Sequence, residues 1–154
     1  MPRDIVTSEN RDEYMKKKLG IEDKPTHSIN INDREIPVNL HPVEERQGHT
    51  LHYVDVDKFD KAFEKNSDQY IGKGGTGNTI KNRYQGVHDF LEKAESMRAS
   101  ESHVKPDGRV TFGDGRHRFA YLRDKGLKEI PMSFDKESVI HAKKHGYISD
   151  KKAK

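Results

Sequence analysis

Residues 113–118 read Gly-Asp-Gly-Arg-His-Arg. They are the densest group in the chain able to hold an anion. A strand expected over Val110–Phe112 runs into this tight Gly-x-Gly turn. A helix is expected to open near Arg116–Arg118, which puts two guanidiniums and an imidazole in its first turn. Helix N-termini present unpaired N–H groups and partial positive charge. Cations there are disfavoured in a bare helix and favoured once a phosphate sits among them. Gly113, Gly115, Arg116, His117 and Arg118 are therefore the first candidates for phosphate contact. The competing reading is a solvated turn whose arginines pair with Asp114 or Asp124.

A second glycine cluster runs Gly72-Lys73-Gly74-Gly75-Thr76-Gly77-Asn78-Thr79. It approaches the Walker pattern, but Asn78 stands where that pattern needs lysine, and a Walker site is rejected. Gly74 and Gly75 leading into a helix would still form a nest of N–H donors. Lys73, Lys81 and Arg83 add cations beside it. The competing reading is a surface loop that ends in an N-cap.

Acid–base chemistry would fall to Asp55, Asp57, Asp60 or Glu64. Asp57 is also the expected N-cap of a helix. A magnesium ion would need carboxylate or phosphate oxygens, for which Asp55 or Asp114 is placed. The chain has nine histidines. The pairs His49/His52 and His141/His145 lack the glutamate of an H-E-x-x-H site, so exposed or capping histidines are expected and no metal site is assigned. No serine sits in a G-x-S-x-G turn.

The composition narrows what can carry these groups. The 154 residues are 36% charged and 31% hydrophobic, with no Cys and no Trp. Mean hydropathy is −1.08. That is a lean core of one-domain size. Without cysteine there is no thiolate catalysis, disulfide or zinc-thiolate site. No apolar run approaches the roughly 20 residues that span a bilayer. The N-terminal MPRDIVTSENRDEY lacks an apolar signal core, so a cytoplasmic protein without membrane partners is expected. The net charge of +3, from 29 basic and 26 acidic residues, permits nucleic-acid binding without announcing it.

The elements that must position the candidates follow from periodicity. A helix is expected over 8–19, capped by Thr7 or Ser8 and stopped by Gly20. Ile29, Ile31, Ile36, Val38 and Leu40 alternate around Asn32-Asp33 as a hairpin, with Pro37 marking an edge strand. Residues 41–48 read as loop. A strand from Leu51 leads to a helix through Phe59, Ala62 and Phe63. Ile80, Tyr84, Val87, Phe90, Leu91 and Ala94 form one helical stripe. A hairpin turns at Pro106-Asp107-Gly108. The helix after Arg116 stops at Gly126. A strand through Ile130, Met132 and Phe134 precedes a helix capped by Asp135, and the basic tail after 146 is expected to fray. The class is α+β, one domain with a small mixed sheet flanked by helices. A helix-and-hairpin extension over 1–50 precedes the main body over 51–146.

The run from Val110 to Pro131 resembles the ParB/sulfiredoxin superfamily. The resemblance rests on a strand, the Gly115-Arg116-His117-Arg118 turn, the helix Phe119–Lys125, Gly126, and Ile130-Pro131. A weaker likeness lies in LHYVDVDKFDKAF, so about 80 residues, 51–134, take part. It implies a nucleotide-phosphate site with Gly115, His117 and Arg118 on the phosphates and Thr79, Lys81 and Arg83 as upstream contacts. ATP or CTP, with magnesium, is the implied ligand. Kinase-like relatives use an acidic residue near Asp57 and Asp60 to activate a hydroxyl, and a phosphotransferase or hydrolase is one expectation. Arg116 stands where sulfiredoxins carry their catalytic cysteine, which rules out sulfinic-acid reduction. The alternative is a DNA- or RNA-binding module or nuclease using the same basic residues. A third reading is a non-catalytic phage or mobile-element interaction protein.

Overall fold

The computed structural model describes residues 26–66 and 68–153. The helix expected over 8–19 lies outside them. The hairpin forms as β1 (His27–Ile31) and β2 (Arg34–Asn39). Asn32 and Asp33 both take positive φ at its tip, as a two-residue turn of this hand requires. Pro37 does not mark an edge. β2 lies between β1 and the short β6 (Met97–Arg98). Its pairing with β6 uses only Val38 and Asn39, so the missing proline N–H removes no ladder bond there. Residues 41–48 are not all loop. The short helix α1 (Pro42–Arg46) is capped by His41, whose Nδ1 accepts from the Val43 N–H at 3.0 Å.

The second sheet carries the body. β3 (Thr50–Asp55), β9 (Glu129–Phe134), β7 (Ser100–Val104) and β8 (Val110–Asp114) lie side by side in that order. β9 runs antiparallel to β3 and parallel to β7, and β8 closes an antiparallel hairpin with β7. Helix α2 (Val56–Glu64) follows β3 directly. Its N-cap is Asp55, which accepts from the Lys58 N–H at 3.1 Å, and not Asp57. The helix starts one residue after the strand ends, so the capping position falls two residues earlier than the apolar pattern suggested. Two-residue strands β4 (Ile71–Gly72) and β5 (Thr76–Gly77) flank a single 3-10 turn at Lys73–Gly75. Helices α3 (Arg83–Lys93), α4 (Arg116–Asp124) and α5 (Lys136–Lys144) complete the α+β domain.

The core centres on phenylalanines from three elements. Phe59 and Phe63 of α2 meet Phe119 of α4 and Phe112 of β8 edge-on, with centroids 5.2 Å apart for Phe59–Phe119 and 4.7 Å for Phe63–Phe112. Such pairs add to the area they bury. Ile29, Ile31, Ile36 and Val38 of the hairpin join the same buried cluster. The packing therefore runs unbroken across residue 50. The chain after Gly146 is also tied down at first. Asp55 N–H donates to the Tyr147 carbonyl and Ser149 N–H to the Tyr53 carbonyl, both at 2.8 Å. Among the described residues, no helix is long and apolar enough to cross a membrane.

A basic cleft at the start of α4

The α3 stripe divides in two. Leu91 and Ala94 are buried and Tyr84 and Val87 partly so, but Ile80 precedes the helix and Phe90 is 53% exposed. Arg83, Gly86, Val87 and Phe90 follow i, i+3, i+4, i+7 spacing and line one wall of a cleft of about 850 Å³. That spacing places them on one helix face, which adjoins the core stripe at Val87. The turn into α4 adds Gly115, His117 and Arg118 to the lining. Lys81, Asn39, Met97 and Arg98 are also among the lining residues. Among the described lining residues Asp114 is the only carboxylate.

Of the expected site residues, Lys81, Arg83, Gly115, His117 and Arg118 are thus brought together. Gly115 has φ +79°, and a Cβ there would meet Ser100 Oγ at 2.6 Å. The Ser100 hydroxyl donates to the Gly115 carbonyl at 2.8 Å. Gly115 caps α4 without a side-chain bond. The first amides of the helix are therefore left without intrahelical partners. His117 is 7% exposed, and its Nε2 accepts from the Ile80 N–H at 2.9 Å. That bond fixes the neutral tautomer with hydrogen on Nδ1. Burial, and then the charges of Arg116 and Arg83, hold its pKa below the usual histidine value. Arg118 donates to the Arg98 carbonyl and lies 3.6 Å from Asp114. Burial pushes its pKa down, with Asp114 and Glu44 opposing. Its guanidinium stays charged at all ordinary pH.

The remaining candidates stand elsewhere. Arg116 turns from the cleft and donates to the carbonyls of Gln69, at 3.1 Å, and Asn78. It latches the glycine loop to α4. Gly74 gives its N–H to Asp124 at 2.9 Å, and Gly75 packs against the Tyr84 ring. Both glycines serve packing rather than an open nest. Thr79 is outside the lining. At Gly113 a Cβ would meet Glu101 Oε1 at 2.1 Å, so this glycine leaves room for a carboxylate. Asp57 is exposed and outside the lining. Asp60 is held by Arg123 at 2.9 Å and by the Tyr70 hydroxyl at 3.1 Å. Burial, and then the Asp60 charge, push the Tyr70 phenol up to about 12. Asp55, the other candidate for magnesium, is used as a cap.

Arg98 and Phe90 were missed as cleft residues. Arg98 lies on a two-residue strand too short for any pattern, and Phe90 reads as core from its spacing. The histidines also divide. His49 is buried, against the expectation of exposure, and His145 Nε2 lies 2.9 Å from the Pro106 carbonyl.

The sequence matches no family model, and no curated protein matches it. The chain is similar in fold to a solved structure, a gold(I) cyanide derivative of Oncogenic Suppression Activity Protein, a plasmid fertility inhibition factor. The match covers 92% of this chain and 85% of that one, at 14% identity and a TM-score of 0.53. At that identity the likeness is one of fold.

Proposed function

We propose that the cleft binds the phosphates of a nucleoside triphosphate, ATP or CTP. The carrying observation is that Lys81, Arg83, Arg98 and Arg118 line one cleft together with Gly115 and His117 at the start of α4. Four cations lining one cavity beside the start of a helix favour a multiply charged anion. Val87, Phe90 and Met97 supply apolar surface in the same cavity for a base. Asp114 is the carboxylate placed to meet a phosphate-bound magnesium ion. The resemblance to the ParB/sulfiredoxin superfamily supports this reading, because its core turn is the one that forms the cleft wall. Asp57 and Asp60 lie outside the lining, so the proposal is for binding.

The test is calorimetric titration with ATP and CTP, each with magnesium, against the wild type and Arg118→Ala. Charge-assisted bonds are worth about 1.5–3 kcal/mol, so Arg118→Ala should weaken binding by roughly ten- to hundredfold. No heat with either nucleotide at millimolar concentration refutes the proposal, as does unchanged affinity in the variant. Oligonucleotide binding that weakens steeply with salt, with no nucleotide heat, would move the function to nucleic acid.

A second reading follows from the fold neighbour, a plasmid fertility inhibition factor. A protein of this fold could act in mobile-element biology through a partner protein. Capture of a partner that survives Arg118→Ala and Lys81→Ala together would favour it.

A further inference from the structure

Beside the cleft stands a cluster that the nucleotide reading does not use. Glu44 of α1, His49 just before β3 and Glu101 of β7 each offer a ligand atom, and these atoms all lie within 4.8 Å of one another. His49 Nδ1 is 3.9 Å from Glu101 Oε2. An acidic pair beside a histidine is common and proves little. The second observation is the state of Glu44. It is only 8% exposed, and its Oε1 has no hydrogen-bond partner among the described residues. A buried carboxylate oxygen with no donor is costly unless a cation meets it.

The surroundings hold Glu101 in place. Glu101 sits at a β-bulge, where the β7–β8 register shifts between Glu101 and Ser102. Bulges re-aim side chains. Glu101 Oε1 is 3.1 Å from His103 Nε2, and His103 Nδ1 is 3.4 Å from Asp135 Oδ2. Outer contacts of this kind orient metal ligands. Gly113 keeps open the space that the Glu101 carboxylate occupies.

We infer that Glu44, His49 and Glu101 form a binding site for a divalent first-row transition ion such as zinc or manganese. One imidazole and two carboxylates suit these ions better than calcium or magnesium, which prefer all-oxygen sets. Three protein ligands leave at least one position open. With bonds of about 2.0–2.2 Å, tetrahedral ligands stand roughly 3.3 Å apart, so the cluster draws in by up to about 1.5 Å on binding. Pro42, which opens the helix that carries Glu44, lines the basic cleft, so the site borders it. The site stands on its own observations and does not depend on nucleotide binding.

The test uses the full chain, stripped with chelator and free of nucleotide. Titration with zinc should show one ion per chain, and cobalt should give visible absorption bands sensitive to its ligands. His49→Gln and Glu101→Gln should each weaken binding by at least about tenfold. Gly113→Ala, which displaces the Glu101 carboxylate without removing a ligand, should weaken it as well. Glu44→Gln should leave the metal-free melting temperature unchanged or raised, and abolish the rise that zinc produces. His52→Gln, on the neighbouring strand, should bind as the wild type does. Absence of saturable binding to the wild type at millimolar zinc overturns the inference. So does affinity within about threefold of wild type in both His49→Gln and Glu101→Gln, or loss of binding in His52→Gln alone.

Discussion

Replacing Arg123 with methionine removes a side chain that ties three segments together. The Arg123 side chain is 10% exposed, 2.9 Å from Asp60 of α2 and 3.0 Å from Asp124 beside it. It also donates to the Ile71 carbonyl at 2.6 Å. Asp124 in turn accepts from the Tyr84 hydroxyl at 2.7 Å and from the Gly74 N–H. Desolvation pushes the Asp124 carboxyl up, but the bonds from Arg123, Tyr84 and Gly74 outweigh it and hold its pKa below the usual value. Breaking a buried pair by removing one partner costs about 3–5 kcal/mol. Two features trim that figure. Arg123 Nη2 is buried without a partner, so its desolvation cost disappears with the side chain. Asp60 is 22% exposed and regains water. About 3 kcal/mol remains. With a urea slope near 2 kcal/mol per molar, the midpoint should fall by about 1.5 M. Far-UV circular dichroism is the readout, since the chain has no Trp. Asp60→Asn alone should cost about 1 kcal/mol, because Asp124 still meets Arg123. In the Arg123→Met background it should cost almost nothing, and it should leave nucleotide affinity unchanged. A midpoint shift below about 0.5 M for Arg123→Met refutes the reasoning. So does an Asp60→Asn cost that is equal in both backgrounds, which would mean the pair is uncoupled.

Two further outcomes follow from the turn into α4. Burial holds the folded-state pKa of His117 below the ordinary histidine value. Below about 6.5 the unfolded chain takes up a proton that the folded chain refuses, so stability is full above that pH and falls as the solution is acidified. Urea midpoints at about pH 7.5 and about pH 5.5 should show a smaller acid loss in His117→Gln than in the wild type, and equal losses would contradict the buried neutral imidazole. Gly115→Ala adds a Cβ 3.0 Å from the Ser100 Cα at φ +79°. It should cost at least about 2 kcal/mol. Gly126→Ala, at φ +86° with nothing within 4 Å, should cost only about 1 kcal/mol in the same melts.

Much of the fold was readable because its signals are local. The hairpin at Asn32-Asp33, the turn at Pro106–Gly108, the Asp135 cap and the Gly126 and Gly146 stops depend on neighbours in sequence. The misreadings share another cause. Pro37 looked like an edge because nothing nearby announces that β6, some sixty residues on, completes its sheet. Phe90 keeps helical spacing with core residues, and only the position of α4 decides that its face borders a cleft. Asp57 lost its cap to Asp55 because α2 begins immediately after β3.

The site divides in the same way. The sequence by itself determined that Arg116, His117 and Arg118 enter one helix turn behind two glycines, and that no thiol chemistry is open to this chain. It could not determine which of them faces the cleft. Successive residues of a helix point about 100° apart, so Arg116 latches residues 69 and 78 while Arg118 turns to the cleft beside Lys81 and Arg83. Gathering those cations, and bringing Glu44 and His49 to Glu101 across more than fifty residues, are contacts between distant segments. Packing of the sheet and its helices decides them, because no short-range pattern carries the distance between two parts of a folded chain.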